Sequence, residues 1–361
     1  MSDYATFFYA QDEDVKKHLV ETFLENRGKC IKVLSGMCGE IYILDAGENT
    51  TPRYICAKIP KQQDKLTEHE RNKRFIEELE QQLSFYHHQF VHWAFDFKDM
   101  MGIPIALFRY WGKDLGSLLE DEDVSEITKL SCILYTCMGL RHCYNNGLNA
   151  HQDLKPANIF LRNMKNDFRE LPDLDIYNFA LIGDFGLANK SEVFDGSRPY
   201  MAPEQWDKTN LSPATDIFAL GVILYELMSN GYHPVGIRLQ DFWPTPKKGN
   251  TNKWIKSGEW KKWIKKSCEI KQLDNSIDSD LTAFIKQMLQ IGPNERPSID
   301  KVIDFLLKQI DKRSHESYEQ INFLIQYYDS KANKKPLKEQ WLALFTTWEE
   351  FTTKYKSSQE L

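Results

Sequence analysis

Within residues 11–27 the apolar positions Val15, Leu19, Phe23 and Leu24 share one helical face, and Gly28 follows them. That is the pattern of an amphipathic helix with a glycine stop. Residues 30–44 and 54–59 favour β-branched and apolar side chains, which predicts strands joined through a glycine turn. Strong helix formers fill residues 68–86, and two more strands are predicted at 91–97 and 103–108. These elements describe a small antiparallel sheet with one main helix, spanning 31–110 behind a helical extension at 1–30. Downstream, apolar spacing near 3.6 at 126–146, 214–229, 278–290 and 298–311 predicts a larger, mostly helical region over 111–312. In the tail, 313–361, Trp341, Leu344, Phe345, Trp348 and Phe351 keep helical spacing. The tail is therefore expected to dock, either on its own domain or on a partner or second subunit. The expected class is α+β in two lobes with helical terminal extensions.

Charge narrows the partners. The chain of 361 residues carries 46 Lys plus Arg against 52 Asp plus Glu, a formal charge of −6, so nothing draws it generally to nucleic acid or anionic membranes. Its first residues are polar and acidic, and no apolar run approaches the roughly 20 residues a bilayer span needs. The expectation is a cytoplasmic protein. Seven cysteines without a C-x-x-C pair describe neither a disulfide framework nor a zinc site. One stretch departs from the acidic background: residues 243–266 set Trp254, Trp260 and Trp263 among lysines such as Lys253, Lys261, Lys262, Lys265 and Lys266. Tryptophans packed beneath solvated lysines are favoured there over contact with nucleic acid or a membrane.

Candidate chemistry concentrates in His151-Gln152-Asp153-Leu154-Lys155-Pro156-Ala157-Asn158. A carboxylate that orients an attacking hydroxyl, an amine that offsets phosphoryl charge and an amide that helps hold a metal ion are what phosphoryl transfer needs. Asp153, Lys155 and Asn158 supply them. Asp184, in Gly183-Asp184-Phe185-Gly186, adds a carboxylate suited to Mg2+ between phosphates. Gly196 to Glu204, Asp216 to Gly221 and Asn294-Glu295-Arg296-Pro297 follow in the same chain order.

This ordered set resembles the eukaryotic-type (Hanks-type) serine/threonine protein kinase family over roughly residues 31–310. The resemblance implies a bilobal protein kinase fold, with ATP and Mg2+ as cofactors, Mn2+ as a substitute, and a protein substrate. It makes Lys58 the lysine that contacts the α- and β-phosphates and Glu78 its helix partner, with Glu77 and Glu80 as alternatives. Leu34, Gly36, Gly39 and Ile41 align with the loop that covers the nucleotide, although Leu34 replaces a glycine and Cys38 the usual aromatic. Cys38 is expected at the tip of that loop, either alkylatable or inert. Ala57, Leu107, Phe108 and Tyr110 are placed near the adenine. Ser197 and Tyr200 belong to the substrate-binding segment, and His151, Phe185, Glu204, Asp216 and Arg296 are structural supports.

The same resemblance bears on regulation. Gln152 stands where many members carry an arginine that grips a phosphorylated activation loop, and a neutral amide cannot form that charge-assisted pair. Activity is therefore expected not to depend on phosphorylation at Ser191 or Ser197. Rival readings are a pseudokinase that binds nucleotide as a scaffold, a small-molecule phosphotransferase of the same fold, and a binding module built on the Lys/Trp stretch.

Overall fold

The structure is a computed structural model that describes residues 3–35, 39–62, 66–119, 121, 123–190, 196–271, 277–332 and 342–356. Two compact units divide the chain.

The smaller unit gathers the chain up to His87, the segment His92–Gly112 and the last helix. Its sheet is antiparallel, in the order β1-β2-β3-β5-β4, from β1 (Lys29–Ser35), β2 (Gly39–Asp45), β3 (Tyr54–Pro60), β4 (Ala94–Met100) and β5 (Ile103–Arg109). Strand alternation sends each strand's side chains to two separate layers. One layer is Tyr42, Leu44, Ile55, Ala57, Ile105 and Leu107, covered by Phe8, Tyr9, Val20 and Leu24 from the N-terminal segment. That segment forms α1 (Asp3–Tyr9), which the apolar pattern did not predict, and α2 (Glu13–Phe23). Asp12 caps α2 by accepting from the Val15 N–H at 2.9 Å. Gly28, at φ 111°, ends the run, and a Cβ there would meet the Asp45 carbonyl oxygen at 2.2 Å, so only glycine lets the chain turn into the sheet.

The opposite layer holds Ala106, Phe108 and Phe97 beneath α3 (Glu68–Ser84), which contributes Phe75, Ile76, Leu79 and Leu83. A capping box between Thr67 and Glu70 starts α3. The last helix, α11 (Leu342–Lys356), completes this layer: Trp348 and Phe351 pack on Phe97 with ring centroids 4.7 and 5.6 Å away. The Tyr355 hydroxyl donates to Asp99 at 2.6 Å. Of the aromatic residues predicted to dock, Trp348 and Phe351 are thus buried in their own chain. Trp341 and the side chains of Leu344 and Phe345 lie outside the described residues.

The larger unit holds His88–Val91 and the chain from Lys113 through α10. Its centre is α4 (Glu126–Asn145), buried around most of its circumference, flanked by α6 (Pro213–Met228), α9 (Ile299–Asp311) and a sheet of β6 (Lys113–Asp114), β7 (Ile159–Asn163) and β8 (Asn178–Ile182). The remaining helices are α5 (Pro203–Asp207), α7 (Ser257–Lys265), α8 (Ser279–Met288) and α10 (His315–Ala332). Arg141 of α4 fastens α10 and α9 by donating to Asp329 at 2.5 Å and Asp300 at 3.1 Å. The expected tail therefore divides, α10 packing in the larger unit and α11 in the smaller. Among the described residues, no helix is long and apolar enough to cross a membrane.

Candidate active site

In the larger unit the loop between α4 and β7 carries the predicted chemistry, and its shape is imposed from beneath. Asp216, 1% exposed in the first turn of α6, accepts from the N–H groups of His151 and Gln152 at 2.8 and 3.1 Å and from the Tyr144 hydroxyl at 3.0 Å. Burial pushes the Asp216 carboxyl upward, and the two backbone donors oppose that shift. With both N–H groups held, Gln152 adopts φ 71°, an uncommon conformation for a residue with a side chain. His151 is fully buried, its Nε2 3.1 Å from the Gly183 carbonyl oxygen and its ring 5.0 Å from that of Phe185. It braces the loop.

Asp153 lies at the centre of a hydrogen-bonded cluster. One carboxylate oxygen accepts from the Ser197 N–H at 2.8 Å; the other accepts from Lys155 Nζ at 2.7 Å and Asn158 Nδ2 at 3.2 Å. Lys155 Nζ also donates to the Ser197 hydroxyl at 3.0 Å. Asn158 spends its NH2 on the Asp153 carbonyl at 2.8 Å, which orients its oxygen as the remaining polar atom. The Gly183 N–H donates to the Asn158 carbonyl at 2.9 Å, so Asp184 begins one residue from a direct tie to Asn158. Asp184 itself has φ 60°.

The segment after Phe185 is tied back to the loop. Gln152 Nε2 donates to the carbonyls of Leu187 at 2.8 Å and Lys190 at 3.1 Å. A Cβ on Gly196 would meet the Gln152 carbonyl oxygen at 2.8 Å, so glycine is what lets the segment return this close. Tyr200 donates to the buried Glu226 at 2.9 Å, and burial raises the Glu226 carboxyl to about 8. Glu204 and Arg296 form a buried two-pronged pair at 2.7 and 2.8 Å. Ser191 lies outside the described residues.

In the smaller unit Lys58 Nζ donates to Glu78, one of the three candidate partners on α3, where Glu77 is exposed and Glu80 half-buried. Lys58 pairs across the sheet with Ile41 and Ala106, so these three share a face. Leu34 is 37% exposed on β1 and pairs with Ile41. Gly39 opens β2, whereas Gly36 and Cys38 lie outside the described residues. Phe108 stacks on His92 at 5.1 Å, and the Tyr110 N–H donates to the Tyr54 carbonyl at 3.0 Å. Two expectations are corrected. Ala57 and Leu107, both fully buried, pair with each other and face the layer covered by α1 and α2, opposite to Lys58. The period of two explains it: Cys56, two positions before Lys58, occupies the face expected for Ala57. The same alternation, applied from Lys58, identifies Cys56 in the sequence.

Residues the sequence reading missed are supports. Asn189 receives the Asn149 N–H at 2.6 Å and donates to the Gly147 carbonyl at 2.9 Å. Gln205 donates to the Gln152 carbonyl at 2.9 Å. Neither carries a local signal, because each acts across more than 39 residues of chain. The Lys/Trp stretch resolves toward packing: Trp254, Trp260 and Trp263 are 6%, 1% and 6% exposed.

A family model described as the protein kinase domain matches residues 32–306. The chain is 28% identical over 305 residues to serine/threonine-protein kinase PLK1 of Xenopus tropicalis, covering 80% of this chain and 42% of that protein. It is 32% identical over 213 residues to calcium/calmodulin-dependent protein kinase type II of Caenorhabditis elegans, covering 54% and 25%. It is 27% identical over 220 residues to a calcium/calmodulin-dependent serine/threonine-protein kinase of Malus domestica, covering 58% and 45%. The chain thus spans less than half the length of each of these relatives. The match extends over most of the chain and includes every element of the loop cluster described above, and on that ground the chain belongs to the protein kinase family.

Proposed function

We propose that the chain is a serine/threonine protein kinase that transfers the γ-phosphoryl group of Mg-ATP to a protein hydroxyl and does not require activation-loop phosphorylation. The observation that carries the reading is the Asp153 carboxylate with Lys155, Asn158 and the Ser197 N–H arranged around it. Asp153 receives the hydrogen bond of the incoming hydroxyl and orients it for attack. Lys155, held between Asp153 and Ser197, offsets negative charge on the moving phosphoryl group. Lys58, kept in place by Glu78, meets the nucleotide phosphates. Asn158 and Asp184 offer the oxygen ligands that suit Mg2+, an ion commonly held by one or two protein groups together with phosphates and water. When bound, that ion neutralises phosphate charge. The serine/threonine names of the relatives, and the Lys155–Ser197 contact, support the hydroxyl specificity. The ion pair at Lys58 and the filled surroundings of Asp153 weigh against a pseudokinase.

Independence from loop phosphorylation rests on Gln152, whose amide already ties the loop through Leu187 and Lys190 without a charge. Phosphoamino-acid analysis of the product formed with γ-labelled ATP tests the first part: phosphoserine or phosphothreonine is expected, and their absence sinks it. Phosphatase treatment tests the second: unchanged activity is expected, and strong stimulation by phosphate at Ser191 refutes it.

A further inference from the structure

The larger unit carries a concave surface whose lining includes no residue of the catalytic loop, a groove of about 1170 Å³ lined by α7, the turn after it and the end of α8. Lys265, Lys266, Lys271 and Lys286 line it, all exposed. Lys262 also lines it, paired with Glu259 at 2.6 Å. Glu259 and Glu269 are its acidic groups, which leaves lysine in clear excess on a chain whose formal charge is −6.

Between the lysines the lining is apolar. Val235 and Ile270 are half-buried there, beside the buried Trp263 and Leu289. Trp263 Nε1 donates to the Glu269 carbonyl at 3.0 Å, whereas the buried Nε1 of Trp254, another lining residue, has no acceptor among the described residues. The wall between Lys266 and Lys271 is fixed: Cys268 is 2% exposed and its N–H donates to the Trp263 carbonyl at 3.1 Å. Ser267 and Cys268 adopt φ 55° and 52° to make that turn.

We propose that this groove docks an acidic peptide segment of a partner protein, with aspartate or glutamate carboxylates on the lysines and an apolar side chain against Val235 and Ile270. Lysine ammonium groups suit carboxylates that approach at varied angles, since they impose no fixed two-pronged geometry. A membrane surface would need an aromatic or leucine side chain projecting outward to insert, and single-stranded nucleic acid would need an exposed ring on which bases stack. The tryptophans here are turned inward, which leaves the peptide as the occupant whose chemistry fits. The site acts by binding alone and does not depend on phosphoryl transfer by Asp153.

The test is fluorescence anisotropy with a labelled glutamate-rich peptide bearing one central leucine, run on the full chain and again on Asp153→Ala. Binding is expected in both backgrounds, and added salt is expected to weaken it. The triple variant Lys265→Glu/Lys266→Glu/Lys271→Glu should weaken binding about tenfold or more, whereas Lys248→Glu/Lys301→Glu/Lys308→Glu, an equal change of charge at exposed sites outside the groove, should change it less than about twofold. The milder Lys265→Gln/Lys271→Gln pair should weaken it about threefold, which keeps the question open to measurement even where the charge reversal lowers stability. No peptide binding at low salt, equal losses in the two triple variants, or capture of phosphatidylserine vesicles in place of the peptide overturns the proposal.

Discussion

Replacing Arg296 with alanine asks what holds the segment bearing Tyr200 and Glu204 in place. The Arg296 side chain is 0% exposed. Its guanidinium donates to both Glu204 oxygens and to the carbonyls of Gln290, Ala214 and Ile291 at 2.7, 2.8 and 3.1 Å. After truncation Glu204 keeps the Thr215 hydroxyl, 2.9 Å away, but loses its paired cation, and three carbonyls lose a donor. Removing one member of a buried pair costs about 3–5 kcal/mol, a large part of the 5–15 kcal/mol that stabilises a typical domain. At about 2–4 °C per kcal/mol for a domain of this size, the melting temperature should fall by roughly 6–20 °C. Thermal unfolding followed by circular dichroism measures it, alongside Glu204→Leu/Arg296→Met. That double variant leaves no unpaired charge and should recover part of the loss. A single variant that melts within about 2 °C of wild type, or a double variant no more stable than the single, refutes the reasoning.

Three further outcomes follow from the packing and the buried acids. Trp348→Ala removes a ring from the layer it shares with α3 and should cost about 3–5 kcal/mol, read by chemical denaturation; because α3 carries Glu78, phosphoryl transfer should fall as well. An unchanged denaturation midpoint would place α11 outside the folded core. Gln152→Ala loses two backbone contacts at about 0.5–1.5 kcal/mol each and should speed hydrogen exchange across residues 187–190, with exchange at wild-type rates counting against the tie. Burial keeps Glu226 protonated to about pH 8 against an ordinary value of 4.5. The folded state therefore binds a proton that the unfolded state has released across that window. The associated stability is complete below about pH 4.5 and is lost as pH rises through about 8. Glu226→Gln should flatten the dependence, and an identical pH–stability curve in the variant would contradict the assignment.

Elements with a strong local period were legible from sequence. The helix predicted at 126–146 is α4, Glu126–Asn145, and the one at 298–311 is α9, Ile299–Asp311. The predicted strand at 91–97 starts later, at Ala94, because Val91 instead bridges to Ile182 in the larger unit. α1 escaped detection since its seven residues are too few to establish a helical period, and its apolar side chains bury only against the sheet. The catalytic loop was readable because its groups are close in the chain. What the sequence hid were contacts between distant segments: the Asn189 clamp, the Gln205 tie to Gln152 and the separate destinations of α10 and α11. Strand facing is also legible in principle: two positions back from Lys58 is Cys56, so the period of two sets Ala57 on the opposite face.

The central claim is tested most directly by phosphoryl transfer from γ-labelled ATP with Mg2+, to the protein itself and to generic serine/threonine substrates, comparing wild type with Asp153→Ala and Asp184→Asn. Asp153, at the hub of the loop's hydrogen bonds, should be indispensable, so transfer by wild type should disappear in both variants while both remain folded and unfold cooperatively. Transfer that persists in folded Asp153→Ala, or no transfer by a wild-type protein that binds Mg-ATP, would contradict the account.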